Sequence, residues 1–361
     1  MKVCIVFGTR PEIIKACPII RVLEEKKIDY FVIHTGQHYS YNMDAIFFEE
    51  LKLPKPNYNL EIGSRSHGAQ TGVMLEKIED ILIKEKPSVV LVIGDTNSVL
   101  AGALGASKLR IRIGHIESGL RSYDKDMAEE QNRIVTDHLS DFLFAPTENA
   151  AKILINEGIP KDKVFVVGNP IVDAVYQNII IANKTIDILK KIELEKNKYI
   201  VATAHRPENV DDNIRLSKIM LGLNKVNQHT KLPVIFSTHP RTKKRLEEFN
   251  IKINDGIKMI EPLGYLEFLQ LMQNAQVIIT DSGGIQEETS ILKVPCVTVR
   301  DNTERPETIE IGSNKLAGTE PENILQRTIE MIGSRRDWTT PYGDGKTADK
   351  IIDILIKNLK V

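Results

Sequence analysis

Short runs of β-branched and other apolar residues recur along this chain, separated by longer stretches whose apolar residues fall at helical spacing. The first series is VCIVF, YFVIHT, SVVLVIG, RIGHIE, DFLFAPT and VFVVG; the second is YIVATA, PVIFST, IKMIEP, QVIIT and PCVTVR. Runs apolar on both faces suit strands buried in a parallel sheet, and the intervening lengths suit crossover helices. The pattern therefore predicts an α/β fold built from repeated βα units with parallel sheets. Between the two series Gly168, Asn169 and Pro170 break the rhythm ahead of a lysine-rich helical stretch, which places a domain boundary near Gly168. The expected division is 1–168, 169–345 and a terminal helix within 346–361, where GDGKTADKIIDILIKNL turns helical after a Gly-rich loop.

Length supports two domains, since 361 residues exceed the roughly 250 to 300 at which one hydrophobic core stops growing. Hydrophobic residues make up 42% and charged residues 27%, ordinary values for a globular chain and far from the signature of disorder. With 48 basic against 49 acidic residues there is no global field to draw the chain onto nucleic acid or an anionic membrane, so an anionic ligand must be bound locally. No apolar run approaches the roughly 20 residues of a membrane span, and the start MKVCIVFGTR lacks signal-peptide order. Cys4, Cys17 and Cys296 have neither disulfide-framework nor zinc spacing, which fits a reducing cytoplasm.

In an open parallel sheet, ligands bind beyond the carboxyl ends of the strands, so the residues just after each strand carry the functional expectation. The first strand runs into Gly8-Thr9-Arg10-Pro11-Glu12, with Pro11 suited to a first helical turn and Lys15 following. Arg10 and Lys15 can hold an anion together with free helix N–H groups, or stand as solvated surface charges. Two later strands end in Gly94-Asp95-Thr96 and Glu117-Ser118-Gly119. Carboxylates converging on one crevice can have their pKa values pushed apart and serve as base and acid, whereas the plainer alternative makes Asp95 a helix cap. Glu129 and Glu130 open a further helical stretch, where the dipole favours negative charge.

In the second series YIVATA ends in His205-Arg206-Pro207-Glu208-Asn209. QVIIT leads into Asp281-Ser282-Gly283-Gly284 and a helix carrying Glu287 and Glu288, a small-residue turn that lets backbone N–H groups approach a diphosphate. Glu288 is placed to accept from ribose hydroxyls, and Arg305 in RDNTERPE to clamp the same diphosphate. No GxGxxG follows a strand and no GxxxxGK[ST] occurs, so neither NAD nor ATP is indicated. His34, His38, His67, His115, His138, His229 and His239 are scattered without metal-ligand spacing, and the reaction is expected to need no metal and no cofactor.

Taken in order, GTRPEIIK, TGQH, GDTNSVLAGALGASKL, HIESGLRS, EEQNRIVTDHLSD, HRPEN, DSGGIQEE and RDNTERPE closely resemble the non-hydrolysing UDP-N-acetylglucosamine 2-epimerases over nearly the whole chain. The resemblance implies two Rossmann-like domains of GT-B type with a UDP-sugar in the cleft between them, a homodimer, and a terminal helix packed back on the first domain. It implies that UDP leaves carbon 1 as the carbon 2 proton is lost, giving a 2-acetamidoglucal to which UDP adds back. Carried over, Arg10, His205, Ser282, Gly283, Gly284 and Arg305 bind or activate the diphosphate and Glu288 holds the ribose. Asp95, Glu117 and Glu129 form the acid group, with the base among them left open, and Lys15 compensates charge.

Two positions and one segment depart from the commoner bacterial pattern. Ala128 stands where the family usually has Pro, Gln131 replaces a small or apolar residue, and Tyr39-Ser40-Tyr41-Asn42 lacks the segment through which many bacterial relatives bind a second, activating substrate molecule. Other readings are an epimerase of a modified sugar such as UDP-2,3-diacetamido-2,3-dideoxyglucuronate, a hydrolysing relative, a GT-B glycosyltransferase, against which the acid cluster argues, and a nucleotide-sugar sensor.

Overall fold

A computed structural model describes residues 1–37 and 47–359; His38 of TGQH and the segment Tyr39–Asn42 lie outside them. The chain forms two units, Met1–Gln177 together with Tyr342–Val361, and Asn178–Pro341. Both are α/β units around one parallel sheet, as the alternating pattern predicts.

In the first unit β1 (Lys2–Phe7), β2 (Asp29–His34), β3 (Tyr58–Asn59), β4 (Val89–Ile93), β5 (Arg112–Ile116), β6 (Phe142–Ala145) and β7 (Val164–Val166) make a seven-stranded sheet ordered β3-β2-β1-β4-β5-β6-β7. Between them run α1 (Arg10–Glu25), α2 (His67–Glu85), α3 (Asn97–Lys108), α4 (Ala128–Leu139), α5 (Glu148–Asn156) and α6 (Pro170–Thr185). Val6 and Val92 pair across β1 and β4, and with Cys4 and Val90 they pack on Met74, Ile78, Ala103 and Ala106 of α2 and α3. Each such aliphatic side chain contributes about 1.5–3 kcal/mol by leaving water. Gly168, where the sequence rhythm breaks, precedes α6, and α6 runs on through the division between the units.

The second unit contains α7 (Ile188–Lys191), β8 (Ile200–Thr203), α8 (Pro207–Val210), α9 (Asn213–Thr230), β9 (Val234–Ser237), α10 (Pro240–Glu248), β10 (Ile257–Ile260), α11 (Tyr265–Gln273), β11 (Val277–Thr280), α12 (Gly283–Leu292), β12 (Cys296–Thr298), α13 (Pro306–Glu310), β13 (Asn314–Leu316) and α14 (Pro321–Ile332). Its sheet is ordered β10-β9-β8-β11-β12-β13. Ile200, Val234, Phe236, Val277 and Ile279 form the strand side of a core that Leu216, Met220, Leu223 and Ile324 cover from the helices. Two short edge strands, β3 and β13, go beyond the sequence pattern.

The chain then returns to the first unit as α15 (Thr347–Asn358). Lys26, just after α1, reaches Asp353 of α15 at 2.7 Å, and the buried Asp173 of α6 accepts from the Ala348 backbone N–H at 2.9 Å, meeting one of the unpaired donors of the first helical turn. Among the described residues, no helix is long and apolar enough to cross a membrane.

In each sheet the strand order reverses once, between β1 and β4 and between β8 and β11. Loops leaving adjacent strands on opposite faces open a crevice at that point, the place where open α/β sheets bind ligands. Gly8–Arg10 and Gly94–Asp95 flank it in one unit, and Ala204–Arg206 and Asp281–Gly284 in the other.

Candidate active site

The turn after β1 is tight because a side chain at position 8 has no room: a Cβ on Gly8 would lie 2.0 Å from Thr35 Oγ1 and 2.3 Å from Ser98 Oγ. Glu12, one turn into α1, accepts from the backbone N–H groups of Gly8 (2.7 Å) and Thr9 (2.8 Å) and from the Thr96 hydroxyl (2.5 Å), tying the β1 turn to the β4 turn. Burial pushes its carboxyl up to about 7, although these donors pull the other way. Arg10, the first residue of α1, lies over the Phe47 ring at 5.8 Å.

Further along α1, Lys15 donates to both oxygens of Glu117, at 2.7 and 2.6 Å. Asn169 donates to Glu117 Oε1 at 2.7 Å, and the carboxylate is buried. Glu117 adopts φ +69°, a left-handed conformation that costs a side-chain-bearing residue on the order of 1 kcal/mol or more and persists only where neighbours impose it. A Cβ on Gly94 would lie 3.6 Å from Glu117 Oε2, so the turn leading to Asp95 adjoins this carboxylate.

Asp95 does not cap α3; Thr96 holds the N-cap position, and the Asp95 carboxylate is paired with Arg133 of α4. Arg133 also donates to Glu130 at 2.8 Å, and Asn132 donates to the Asp95 carbonyl at 2.9 Å. The two glutamates opening α4 differ sharply. Glu130 is buried and accepts from the backbone N–H groups of Ser122 (2.9 Å) and Tyr123 (3.0 Å); burial raises its carboxyl, but these donors and Arg133 outweigh it and hold it below the ordinary value. Glu129 is half-buried and has no ion pair among the described residues. Gln131 points elsewhere, donating to the Lys125 carbonyl at 2.9 Å.

Beneath these turns His115 lies fully buried between two acceptors, the Gly94 carbonyl 2.8 Å from Nε2 and Asp137 Oδ1 2.6 Å from Nδ1. A carbonyl only accepts, so Nε2 carries a hydrogen. Asp137 also pairs with Arg121 at 2.7 Å and accepts from Gly119 N at 3.2 Å; burial pushes its carboxyl up, but His115 and Arg121 hold it down.

In the second unit Asp281, at the end of β11, organises the β8 loop. It accepts from the backbone N–H groups of His205 and Arg206, each at 3.0 Å through Oδ2, and from Asn209 at 3.3 Å, while His205 Nδ1 stands 3.0 Å from Oδ1. Burial raises the Asp281 carboxyl, but His205 and these donors bring it below its ordinary value. Ser282 is the N-cap of α12, and Gly283 and Gly284 are its first residues. A Cβ on Gly283 would meet no atom nearer than Glu304 Oε2 at 3.5 Å, and one on Gly284 none nearer than 4.0 Å, so the backbone N–H groups there are approachable. Glu288 is buried in the same helix, and Arg305 pairs with the buried Glu287. Arg206 and Arg300 both reach Glu304, at 3.4 and 3.1 Å.

The structure thus brings Lys15 onto Glu117, sets the Asp95 turn beside them, and joins His205 to the Ser282–Gly284 turn through Asp281. It adds Glu12, Arg133, Asn169, Asp281 and Arg300, none of which sequence reasoning assigned a role. Arg133 was within reach: it follows Glu130 at the i,i+3 spacing that puts two side chains on one helix face. Among the described residues, no group of three or more His, Cys, Asp or Glu could hold a metal ion.

Two parallel-sheet units with charged loops gathered at their switch points define a protein of the GT-B-like class. The sequence model of UDP-N-acetylglucosamine 2-epimerase matches residues 21–356. A UDP-N-acetylglucosamine 2-epimerase of Methanocaldococcus jannaschii is 56% identical over 362 residues, covering 98% of this chain and 99% of that protein. A UDP-2,3-diacetamido-2,3-dideoxy-D-glucuronate 2-epimerase of Pseudomonas aeruginosa is 42% identical over 361 residues, covering 99% of this chain and all (100%) of that protein. The crystal structure of the M. jannaschii UDP-GlcNAc 2-epimerase in complex with UDP-GlcNAc and UDP superposes with a TM-score of 0.89 at 56% identity, covering 99% of this chain and 100% of the other. The chain belongs to the UDP-N-acetylglucosamine 2-epimerase family, and it is an isomerase.

Proposed function

We propose that the protein interconverts UDP-N-acetylglucosamine and UDP-N-acetylmannosamine by eliminating UDP and adding it back. In the forward half, a carboxylate removes the carbon 2 proton, the carbon 1–oxygen bond breaks, and its electron pair leaves with the β-phosphate of UDP, giving a 2-acetamidoglucal. In the return half, a proton is delivered to the opposite face of carbon 2 and the phosphate oxygen re-forms its bond to carbon 1.

The observation that carries the reading is the differing state of the three acids in the first unit. Glu117 accepts from Lys15 and Asn169, and Asp95 is ion-paired with Arg133, so both are held in place, suited to a ring that gains positive charge as UDP departs. Glu129 has no ion pair among the described residues, which leaves it available to take up and return a proton. In the second unit Ser282, Gly283 and Gly284 offer backbone N–H groups to the diphosphate, His205 and Arg305 stabilise the leaving group, and Glu288 accepts from the ribose. Arg10 adds a cation at the start of α1, and Lys15 acts through Glu117. We further propose that the protein works as a homodimer and in the cytoplasm.

Incubation with UDP-N-acetylglucosamine in heavy water, without metal or nicotinamide, tests this. The reading expects a second UDP-N-acetylhexosamine with deuterium at carbon 2; epimer retaining protium there overturns the role of the acids, and free sugar plus UDP identifies a hydrolase. A second reading, an epimerase of the diacetamido-glucuronate, is favoured by the 42% identity to the P. aeruginosa protein and is separated by assaying both substrates.

A further inference from the structure

A carboxylate stands beside the N-terminus of α12. Glu304, in the loop between β12 and α13, places Oε2 at the position 3.5 Å from a Gly283 Cβ, beside the first residue of the helix. Its two oxygens bridge two guanidiniums, Arg206 Nη2 at 3.4 Å and Arg300 Nη2 at 3.1 Å. The loop is pinned on both sides of it, because the Thr303 hydroxyl donates to Gln286 of α12 at 2.6 Å and Arg305 pairs with Glu287 of the same helix. The Glu304 side chain is nevertheless 38% exposed, so it can swing outward without unpacking a core.

A carboxylate bridging two guanidiniums at a helix N-terminus has the form of a phosphate in such a place. The cations are also not exhausted by it. Arg300 is buried, and its Nη1 has no hydrogen-bond partner among the described residues, leaving donor capacity for an anion with more acceptor oxygens. Burial pushes the Glu304 carboxyl up, but Arg300, Arg206 and Arg305 outweigh it and hold it below its ordinary value.

We propose that Glu304 is an internal counter-anion of the diphosphate site, filling the place of a phosphate between Arg206, Arg300 and the start of α12 until a nucleoside diphosphate displaces it. This rests on the reading that the second unit binds UDP. A site of two guanidiniums and a helix terminus would otherwise hold UDP tightly, and an epimerase must let its UDP-sugar product go. Glu304 opposes that retention twice: its contacts with the arginines are lost when the ligand enters, and its charge returns as the ligand leaves.

The test compares UDP and uridine binding to the full chain by calorimetry, for the wild type, Glu304→Gln and Glu304→Ala, with fold monitored by circular dichroism. Both variants are expected to bind UDP roughly threefold to tenfold more tightly, chiefly through slower dissociation, with uridine affinity unchanged. UDP binding that is unchanged or weaker in both variants overturns the proposal and makes Glu304 a mere holder of the arginines. Failure of the wild type to bind UDP at all removes the functional reading and this inference together, so the two failures are distinguishable.

Discussion

The carboxyl ends of the two sheets carry the same kinds of charged pair with opposite emphasis. In the first unit the buried members are acids, Glu117 and Glu130, and cations from helices restrain them. In the second unit cationic side chains reach toward the loops, and buried acids restrain those: Asp281 holds His205, and Glu287 holds Arg305. A site that stabilises positive charge on a sugar ring needs anions fixed by neighbours, whereas a site that stabilises a leaving diphosphate needs cations aimed by neighbours. The first unit uses cations to fix buried acids, and the second uses buried acids to fix cations.

The most severe way to break this comparison is to neutralise the acids. Glu129→Gln, Asp95→Asn and Glu117→Gln should each lower epimer formation and deuterium entry at carbon 2 together, by about a hundredfold or more, while UDP still binds. Nuclear magnetic resonance reads both signals in one sample, and near wild-type rates in all three variants would end the assignment.

Next in size is the Lys15–Glu117 pair. Lys15→Met removes the cation that donates to both oxygens of a buried carboxylate, and should cost about 3 kcal/mol in urea unfolding. Adding Glu117→Gln should restore most of that stability without restoring turnover. A single variant as stable as the wild type would show that burial does not constrain this acid.

His205→Ala and Arg305→Ala are expected to cut turnover by about tenfold or more, since each acts on the departing diphosphate. Retention of turnover in both, with the fold intact, would leave the second unit as a docking surface alone.

How much of this was legible in the sequence follows from the range of each interaction. Eleven apolar runs announced their strands, nine of them central parallel strands with both faces covered and two, β7 and β10, apolar enough to show at a sheet edge, whereas β3 and β13, with Tyr58-Asn59 and Asn314-Lys315-Leu316, are edges too short and polar to leave such a mark. Asp95, Glu117 and Ser282–Gly284 stood out because each directly follows a strand. Their restraints did not: Arg133 meets Asp95 across 38 positions and Asn169 meets Glu117 across 52, pairings that only the folded sheet creates. The same holds for Glu12, which reads locally as part of a helix cap while its third partner, Thr96, lies 84 positions away.

Glu12 also sharpens the comparison at its smallest scale. Its carboxyl is raised from 4.5 to about 7, so between those values the folded protein keeps a proton that the unfolded chain releases. The stability this group contributes is therefore full below about pH 4.5 and is lost as pH rises to about 7. Urea unfolding across that window should show the wild type declining more steeply than Glu12→Gln, and parallel profiles would contradict the raised value.

The return of the chain to its first unit bears on the order in which the molecule can be completed during synthesis. The first unit needs Tyr342–Val361, whose helix α15 lies against α1 and donates a backbone hydrogen bond to Asp173, whereas the second unit is one continuous segment, Asn178–Pro341. On a ribosome the later-made unit has all its residues before the earlier one does. Domains made in sequence ordinarily mature from the N-terminus onward; here the strands of the first sheet are made first, but the α1 surface stays uncovered until α15 emerges and closes it.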